Sequence, residues 1–161
     1  MARSLMQKIG DIGSYAGDEK RIAFLNSMRG LIFENSDPDD KFSGGISRSV
    51  AAERIFYVPW SEERLQSLLR MDREGLLRLL REEPPLVVEI SFLDGSFLYF
   101  IGTNGNHRVA ASAATGIQDV PIVVEARWTC GLLGRHVEWL VEEAGERARR
   151  WLERSEASSS G

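Results

Sequence analysis

The chain has 161 residues, 24 of them acidic and 20 basic, so its formal net charge is −4. A chain of this length forms one domain that folds without disulfides or metal, and its single cysteine, Cys130, excludes an intramolecular disulfide. The negative charge argues against a broad duplex-DNA surface, and no apolar run is long enough for a membrane span or a secretory signal, so we expect a soluble, cytoplasmic protein with no membrane partner.

The first part of the chain, residues 1–54, is predicted to be a helical extension followed by an acidic loop. Asp18 can cap a helix over Glu19–Glu34, in which apolar residues recur at helical spacing. The segment Asn35–Gly45 is rich in turn formers and in acidic residues, which predicts a flexible loop. Its aspartates match no calcium-loop pattern.

Strands and helices alternate through residues 55–126, which we interpret as the main domain. The apolar run Ile55–Val58 predicts a strand. Ser61 can cap a leucine-rich helix through about Met71, and a second such helix is predicted from Asp72 to about Glu82, before Pro84-Pro85. The elements predicted after them are a strand over Leu86–Leu93, a hairpin turn at Asp94-Gly95, a strand over Ser96–Ile101, a helix that ends at Gly116, and a strand over Val120–Ala126.

Residues 127–154 are predicted to form a C-terminal amphipathic helix from about Leu133, and residues 155–161 a disordered tail. The order of elements predicts an α/β (α+β) fold: a small mixed sheet with packed helices, and further helices at both ends of the chain.

The segment Gly102–Gly116 has the features of an anion-binding site. A glycine-rich turn leads into an alanine-rich helix whose only titratable groups, His107 and Arg108, lie in the first turn. The unpaired N–H groups of a helix start, the positive end of its dipole and a guanidinium favour a phosphate. Two alternatives are open: Arg108 pairs with a carboxylate such as Glu89 or Glu125, and His107 only caps the helix or binds a loop.

The residues Gly105-Asn-His-Arg108, with Ala110-Ala111, Gly116 and Val120-Pro121 after them, resemble the ParB/sulfiredoxin superfamily, which includes the ParB-like nuclease domains. Its members carry a glycine, two variable residues and an arginine on a loop-to-helix turn, then alanines, a glycine and a final strand. The resemblance covers about Ile55–Glu125. It implies a small α/β fold in which the turn binds nucleotide phosphates.

The resemblance also implies roles for the residues of the turn. Gly105 would let the backbone approach a phosphate of ATP or CTP, Asn106 would fix the turn, and His107 and Arg108 would contact the phosphate. Sulfiredoxins carry their catalytic cysteine where this chain has Asn106, so sulfinic-acid reduction is not expected. Partition proteins continue into a helix-turn-helix domain, and because only one amphipathic helix follows here, we do not expect a DNA clamp.

By this resemblance we expect nucleoside triphosphate hydrolysis (an ATPase), extended by Mg²⁺-dependent nuclease activity, in a protein of plasmid or phage origin. Hydrolysis needs a carboxylate that holds Mg²⁺ or orients the attacking group. Glu53, just before the strand at Ile55, is the leading candidate, so that Glu53 and Arg108 form the expected catalytic pair. The metal ligands stay open among further carboxylates: Glu62, Glu63, Glu89, Asp94 and the loop aspartates Asp37, Asp39 and Asp40.

The alternative is a non-catalytic interaction or inhibitor module that keeps the fold and contacts a protein partner through its terminal helices. DNA is a weakly supported partner, because the net charge is −4. Four tryptophans are predicted to pack in the core or against helices rather than to stack on bases: Trp60, Trp128, Trp139 and Trp151.

Overall fold

The sheet is organised around its longest strand, β6 (Val120–Cys130). The structure, a computed structural model, describes residues 19–95, 97–102, 105–132 and 137–159. Within these ranges, helices and a six-stranded mixed sheet form an α/β fold, which confirms the predicted class. The helices are α1 (Glu19–Glu34), α2 (Glu62–Leu69), α3 (Arg73–Glu82), α4 (Asn106–Ala114) and α5 (Val137–Ser159). The other strands are β1 (Ser36–Pro38), β2 (Ile46–Val50), β3 (Ile55–Phe56), β4 (Leu86–Ser91) and β5 (Phe97–Ile101).

Both edges of β6 are paired with other strands. One edge runs parallel to β4, and the other pairs antiparallel with β2 along its first half and with β1 at its end. From β4 the sheet continues through the antiparallel β5 to the parallel β3. The N-terminal segments that hold β1 and β2 therefore belong to the same sheet as the rest of the chain.

A β-bulge interrupts the pairing of β6 with β4. Val87 lies opposite Val124, but Val88 lies opposite Ala126, so Glu125 is an extra residue in β6. An extra residue reverses the alternation of side chains beyond it. Ile122 and Val124 therefore face one side of the sheet, whereas Trp128 and Cys130 face the other.

Each face of the sheet is covered by helices. The first hydrophobic cluster joins α1 and α5 to one face, through residues such as Met28, Leu140 and Phe100. The second joins α3 and α4 to the other face, through residues such as Leu76 and Val109. Because consecutive strand residues alternate between the clusters, the molecule has three layers.

The helices agree well with their sequence signals. α1 has the predicted bounds, although the expected cap Asp18 lies outside the described residues. The Ser61 hydroxyl accepts a hydrogen bond from the Arg64 N–H at 3.3 Å, and Asp72 Oδ1 accepts one from the Gly75 N–H at 2.7 Å. The N-cap predicted at Ser61 is confirmed, and Asp72, predicted as the first residue of the next helix, is its N-cap.

The acidic segment and the first strand differ from prediction. Residues 36–38 form β1 inside the predicted loop Asn35–Gly45, and the polar segment Ile46–Val50 forms β2. Both are short, largely polar strands whose ladder partner is the distant β6, so their own residues carry no strong strand pattern. The strand predicted over Ile55–Val58 is limited to its first two residues.

The C-terminal region also differs from prediction. β6 continues past the predicted end at Ala126 to Cys130, which is buried in the first cluster, so the predicted C-terminal segment 127–154 begins as strand. α5 extends to Ser159, and the tail predicted from Ser155 is helical as far as that residue. Arg149 pairs with Glu146 and Glu153 at helical spacing, which supports these last turns. No helix of the described residues is long and apolar enough to cross a membrane.

Candidate functional site

The turn before α4 is fixed by close backbone packing. Gly102 donates its N–H to the Leu86 carbonyl at 2.9 Å, which joins the end of β5 to the start of β4. Gly105 has φ +127°, a conformation open to glycine, and its carbonyl accepts the Val109 N–H at 3.0 Å, which starts the helix. A Cβ at Gly105 would lie 2.8 Å from Pro85 Cβ. The glycine is therefore required by its neighbour Pro85, whether or not a phosphate approaches the backbone.

The first two side chains of α4 hold the segment before α2. Asn106 Oδ1 accepts the Val58 N–H at 2.8 Å, and His107 Nε2 accepts the Ser61 N–H at 2.9 Å. Asn106 therefore fixes the backbone at Val58, whereas the role predicted for it was to fix the turn itself. For His107, the structure shows the alternative of a hydrogen bond to a loop.

His107 is held as a neutral imidazole. Burial, and then the positive charge of Arg64, lower the pKa of His107 from its ordinary value. Nε2 accepts a hydrogen bond, so a proton on that nitrogen would break the contact with Ser61. The Trp60 ring stands edge-on to the imidazole at 5.0 Å, and the Arg64 guanidinium lies 4.7 Å from the centre of the Trp60 ring.

Arg108 has no protein partner for its buried nitrogen. Its Nη1 is shielded from solvent and makes no hydrogen bond within the part of the chain that the structure describes. Burial lowers the pKa of the Arg108 guanidinium, while the Glu83 carboxylate acts in the opposite direction. Arginine stays charged under such conditions. A cationic donor at the start of a helix is therefore left without an acceptor, at a cost of about 1–3 kcal/mol.

Neither carboxylate predicted as an alternative partner pairs with Arg108. Glu89 is 5% exposed and binds Arg48 and Arg127 instead, each at 2.8 Å. Glu125 Oε2 lies 3.9 Å from the position that a Cβ on Gly102 would take, which places this carboxylate beside the turn. Among the described residues, Arg108 forms no salt bridge.

Within the described residues, the predicted metal ligands do not form one group. The side chain of Glu53 lies outside the described part of the structure. Glu62 accepts a hydrogen bond from Gln66, and Asp39 accepts one from the Lys41 N–H. Within the described residues, no group of three or more His, Cys, Asp or Glu side chains could hold a metal ion.

Two arginines near the site were missed by the sequence reasoning. Arg29 of α1 reaches Gly102, with its Nη2 3.5 Å from the glycine carbonyl oxygen, and burial lowers its pKa. In the sequence, Arg29 is recognisable as a basic residue at a position of the first helix where the spacing favours an apolar one. Arg64 lies in α2, and no local pattern in the sequence indicates that it covers Trp60.

The tryptophans were expected to pack in the core or against helices, and core packing is wrong for three of the four. Trp60, Trp139 and Trp151 are 50%, 47% and 54% exposed. Trp128 alone of the four packs against the first cluster, where its ring meets Phe33 edge-on.

A groove of about 960 Å³ lies on the other side of the sheet, between α1 and α5. Ile22 and Trp151 are among its apolar residues, and Arg147 and Arg150 among its basic ones. The groove does not include the start of α4.

No protein-family model and no curated protein sequence matches the chain. The resemblance to the ParB/sulfiredoxin superfamily therefore stays a hypothesis that rests on the turn at Gly105–Arg108.

Replacing Gly105 with alanine is expected to destabilise the fold by about 3 kcal/mol, because the left-handed backbone and the contact with Pro85 each carry a cost. Gly116→Ala is the matched control, since its φ is +75° but a Cβ there would meet nothing within 4 Å. We expect the control to lose about 1 kcal/mol. Urea unfolding measures both, and equal losses would contradict the role assigned to Pro85.

Lowering the pH is expected to destabilise the protein through His107. Its folded-state pKa is lowered, so the unfolded chain takes up a proton first. The contribution of His107 to stability is therefore complete above about pH 6.5, its ordinary pKa, and is lost as the pH falls from there towards the folded-state pKa.

The His107→Gln variant isolates this effect, because its amide oxygen can accept the same N–H but does not titrate. The free energy of unfolding is compared for the two proteins at about pH 8 and about pH 5.5, on either side of the ordinary histidine pKa. The wild type should lose more stability than the variant over this interval. The titration of His136 affects both proteins equally and cancels in the comparison. If the stability difference between the two proteins is the same at both pH values, the assignment to His107 is refuted.

Proposed function

We propose that the chain binds the phosphates of a nucleoside triphosphate, ATP or CTP, at the start of α4. The observation that carries the proposal is the buried, unpartnered Nη1 of Arg108. A buried donor without an acceptor is uncommon in folded proteins, and a ligand that supplies the acceptor is one explanation.

The surroundings of Arg108 favour an anion over other ligands. The helix start has no side-chain cap, so its first N–H groups keep their hydrogen-bonding capacity. The positive end of the helix dipole adds to the charge of Arg108, and Arg29 lies beside the same turn at Gly102. Planar guanidinium groups bind phosphate oxygens in pairs, which suits a terminal phosphate.

Asn106 and His107 act as positioning residues in this proposal. Their side chains accept backbone N–H groups of Val58 and Ser61, which fixes the segment before α2 against the helix start. The phosphate is then bound by backbone N–H groups and by Arg108. The neutral His107 adds no charge.

Hydrolysis is the further part of the proposal. Mg²⁺ is commonly bound by the nucleotide phosphates themselves with one or two carboxylates, so a complete protein cage is unnecessary. Glu125 beside Gly102 is a carboxylate of suitable position, and Glu53 is the one expected from the sequence. A single carboxylate with bound nucleotide would suffice to hold the ion.

The test is calorimetric titration of ATP and CTP, each with Mg²⁺, into wild type and Arg108→Met. Methionine keeps an unbranched apolar side chain but removes the buried cation. We expect at least a tenfold loss of affinity, because a charge-assisted contact contributes about 1.5–3 kcal/mol. Thermal unfolding should show unchanged or higher stability for the variant, because an unsatisfied buried donor is removed.

Arg70→Met is the control, since Arg70 is exposed at the end of α2. Inorganic tripolyphosphate is titrated as well, and release of phosphate is followed in the same samples. Wild type that binds no nucleotide, or an Arg108→Met variant that binds as wild type does, would refute the proposal. A variant that loses both binding and stability would identify Arg108 as a structural residue.

A second candidate function, binding of a protein partner, is favoured by the groove between α1 and α5. The exposed Trp151 lies beside Ile22 and two arginines there, and aromatic and arginine side chains are enriched at protein interfaces. Failure of nucleotide binding would leave this groove as the leading site.

A further inference from the structure

Arginines and aromatic rings form a continuous strip on the sheet face that also carries α3 and α4. At one end, the Arg54 guanidinium lies 5.5 Å from the centre of the Phe97 ring. Phe97 meets Tyr99 edge-on at 5.7 Å. These contacts lead from an exposed arginine to a buried tyrosine hydroxyl.

The strip continues through a buried carboxylate. Arg48 Nη1 donates to the Tyr99 hydroxyl and to Glu89 Oε2, both at 2.8 Å, and Arg127 Nε donates to Glu89 Oε1 at 2.8 Å. The Arg127 guanidinium in turn lies 4.7 Å from the centre of the Phe42 ring. Each member touches the next, and we name the strip by its exposed and half-exposed residues: Arg54, Phe97, Arg48, Arg127 and Phe42.

The arginines of the strip keep donors available to a ligand. Arg48 and Arg127 each bind Glu89 through one nitrogen, and their side chains are 35% and 33% exposed. Arginine has five N–H donors, so most of them are left for other partners. Two guanidinium groups bind the Glu89 carboxylate and a third lies over Phe97, so the strip itself carries three positive charges against the one negative charge of Glu89.

A purely structural role explains only part of this arrangement. The salt bridges account for the directions of Arg48 and Arg127, because the buried Glu89 needs partners. They do not account for Phe97, which is 37% exposed at the start of β5 with the exposed Arg54 beside it. An arginine next to an exposed ring is a common arrangement in surfaces that bind nucleic-acid bases and phosphates.

The strip is separate from the start of α4. Phe97 is the first residue of β5, whereas the turn that precedes α4 follows Ile101, the last residue of that strand. Arg127 lies on β6 beyond the bulge, opposite Glu89, while Glu125 lies beside the turn. Phe97 and the start of α4 therefore lie at opposite ends of β5, while Arg48, opposite Ile122 on β6, reaches Glu89 from the end of the sheet nearer the turn.

We propose that this strip binds single-stranded nucleic acid. The arginines contact phosphates, and the ring of Phe97 stacks on a base, which a single strand exposes and a duplex hides. A duplex surface would need many more cations than the three arginines here. DNA and RNA share the chemistry that is recognised, so the experiment includes both.

The test is fluorescence anisotropy with labelled oligothymidylate and oligouridylate of about 15 nucleotides, a length within the range of known single-strand sites. A duplex of the same length is the comparison. We expect either single strand to bind, and the duplex to bind at least tenfold more weakly. Preference between the two single strands then identifies DNA or RNA as the ligand.

Two variants measure separately how much the aromatic ring and the positive charge contribute to binding. Phe97→Leu keeps an apolar residue but removes the ring, and should weaken binding about tenfold because a base no longer stacks on an aromatic face. Arg54→Ala should lower the slope of log affinity against log salt concentration by about 0.7, the value for one phosphate contact to a single strand. Trp151→Leu and Arg154→Ala are matched controls, since both residues are exposed on α5, across the sheet.

Circular dichroism melts check that each variant is folded, and Arg108→Met should bind oligonucleotide as wild type does. The Arg108→Met result therefore distinguishes oligonucleotide binding at the strip from nucleotide binding at the start of α4. The proposal is overturned if wild type binds neither single strand, or if the folded Phe97 and Arg54 variants behave like the controls. It is also overturned if the duplex, or polyglutamate as a polyanion without bases, binds as tightly as the single strands.

Discussion

The fold depends on the double pairing of β6. Along one edge the strand holds β4, and along the other it holds β2 and β1, so residues from the beginning of the chain lie beside residues near its end. Both hydrophobic clusters include residues of this strand. The pairing also sets the start of β4, whose neighbour Pro85 packs against Gly105 and thereby fixes the turn before α4.

The first three side chains of α4 have different roles. A helix turns by about 100° per residue, so Asn106, His107 and Arg108 point in different directions. The first two side chains accept hydrogen bonds from the segment before α2, and the third is left with an unpartnered donor. Asn106 and His107 therefore hold the backbone around the start of α4, and the Arg108 donor stays available. A binding site needs such rigid support for its ligand-contacting groups.

Local signals predicted much of this architecture from the sequence. Capping residues and leucine spacing predicted α2 and α3, and the hairpin turn at Asp94-Gly95 predicted the antiparallel pair β4 and β5. The short strands β1 and β2 depend on a partner more than 70 residues away, which no local pattern records. For the candidate site, the sequence identified Arg108, but the approach of Arg29 and the pairing of Glu89 follow from tertiary packing.

The bulge in β6 limits the insertions and deletions that this strand can accept. Strict alternation from Val124 would put Ala126 on the face of Glu89 and turn Arg127 away from it, so the extra residue Glu125 is what supplies the buried carboxylate with its second guanidinium. Loss of that one residue would exchange the faces of every side chain from there to Cys130. Substitutions at position 125 are therefore far easier to accommodate than a deletion, and homologues should differ in length within the loops and never within this strand.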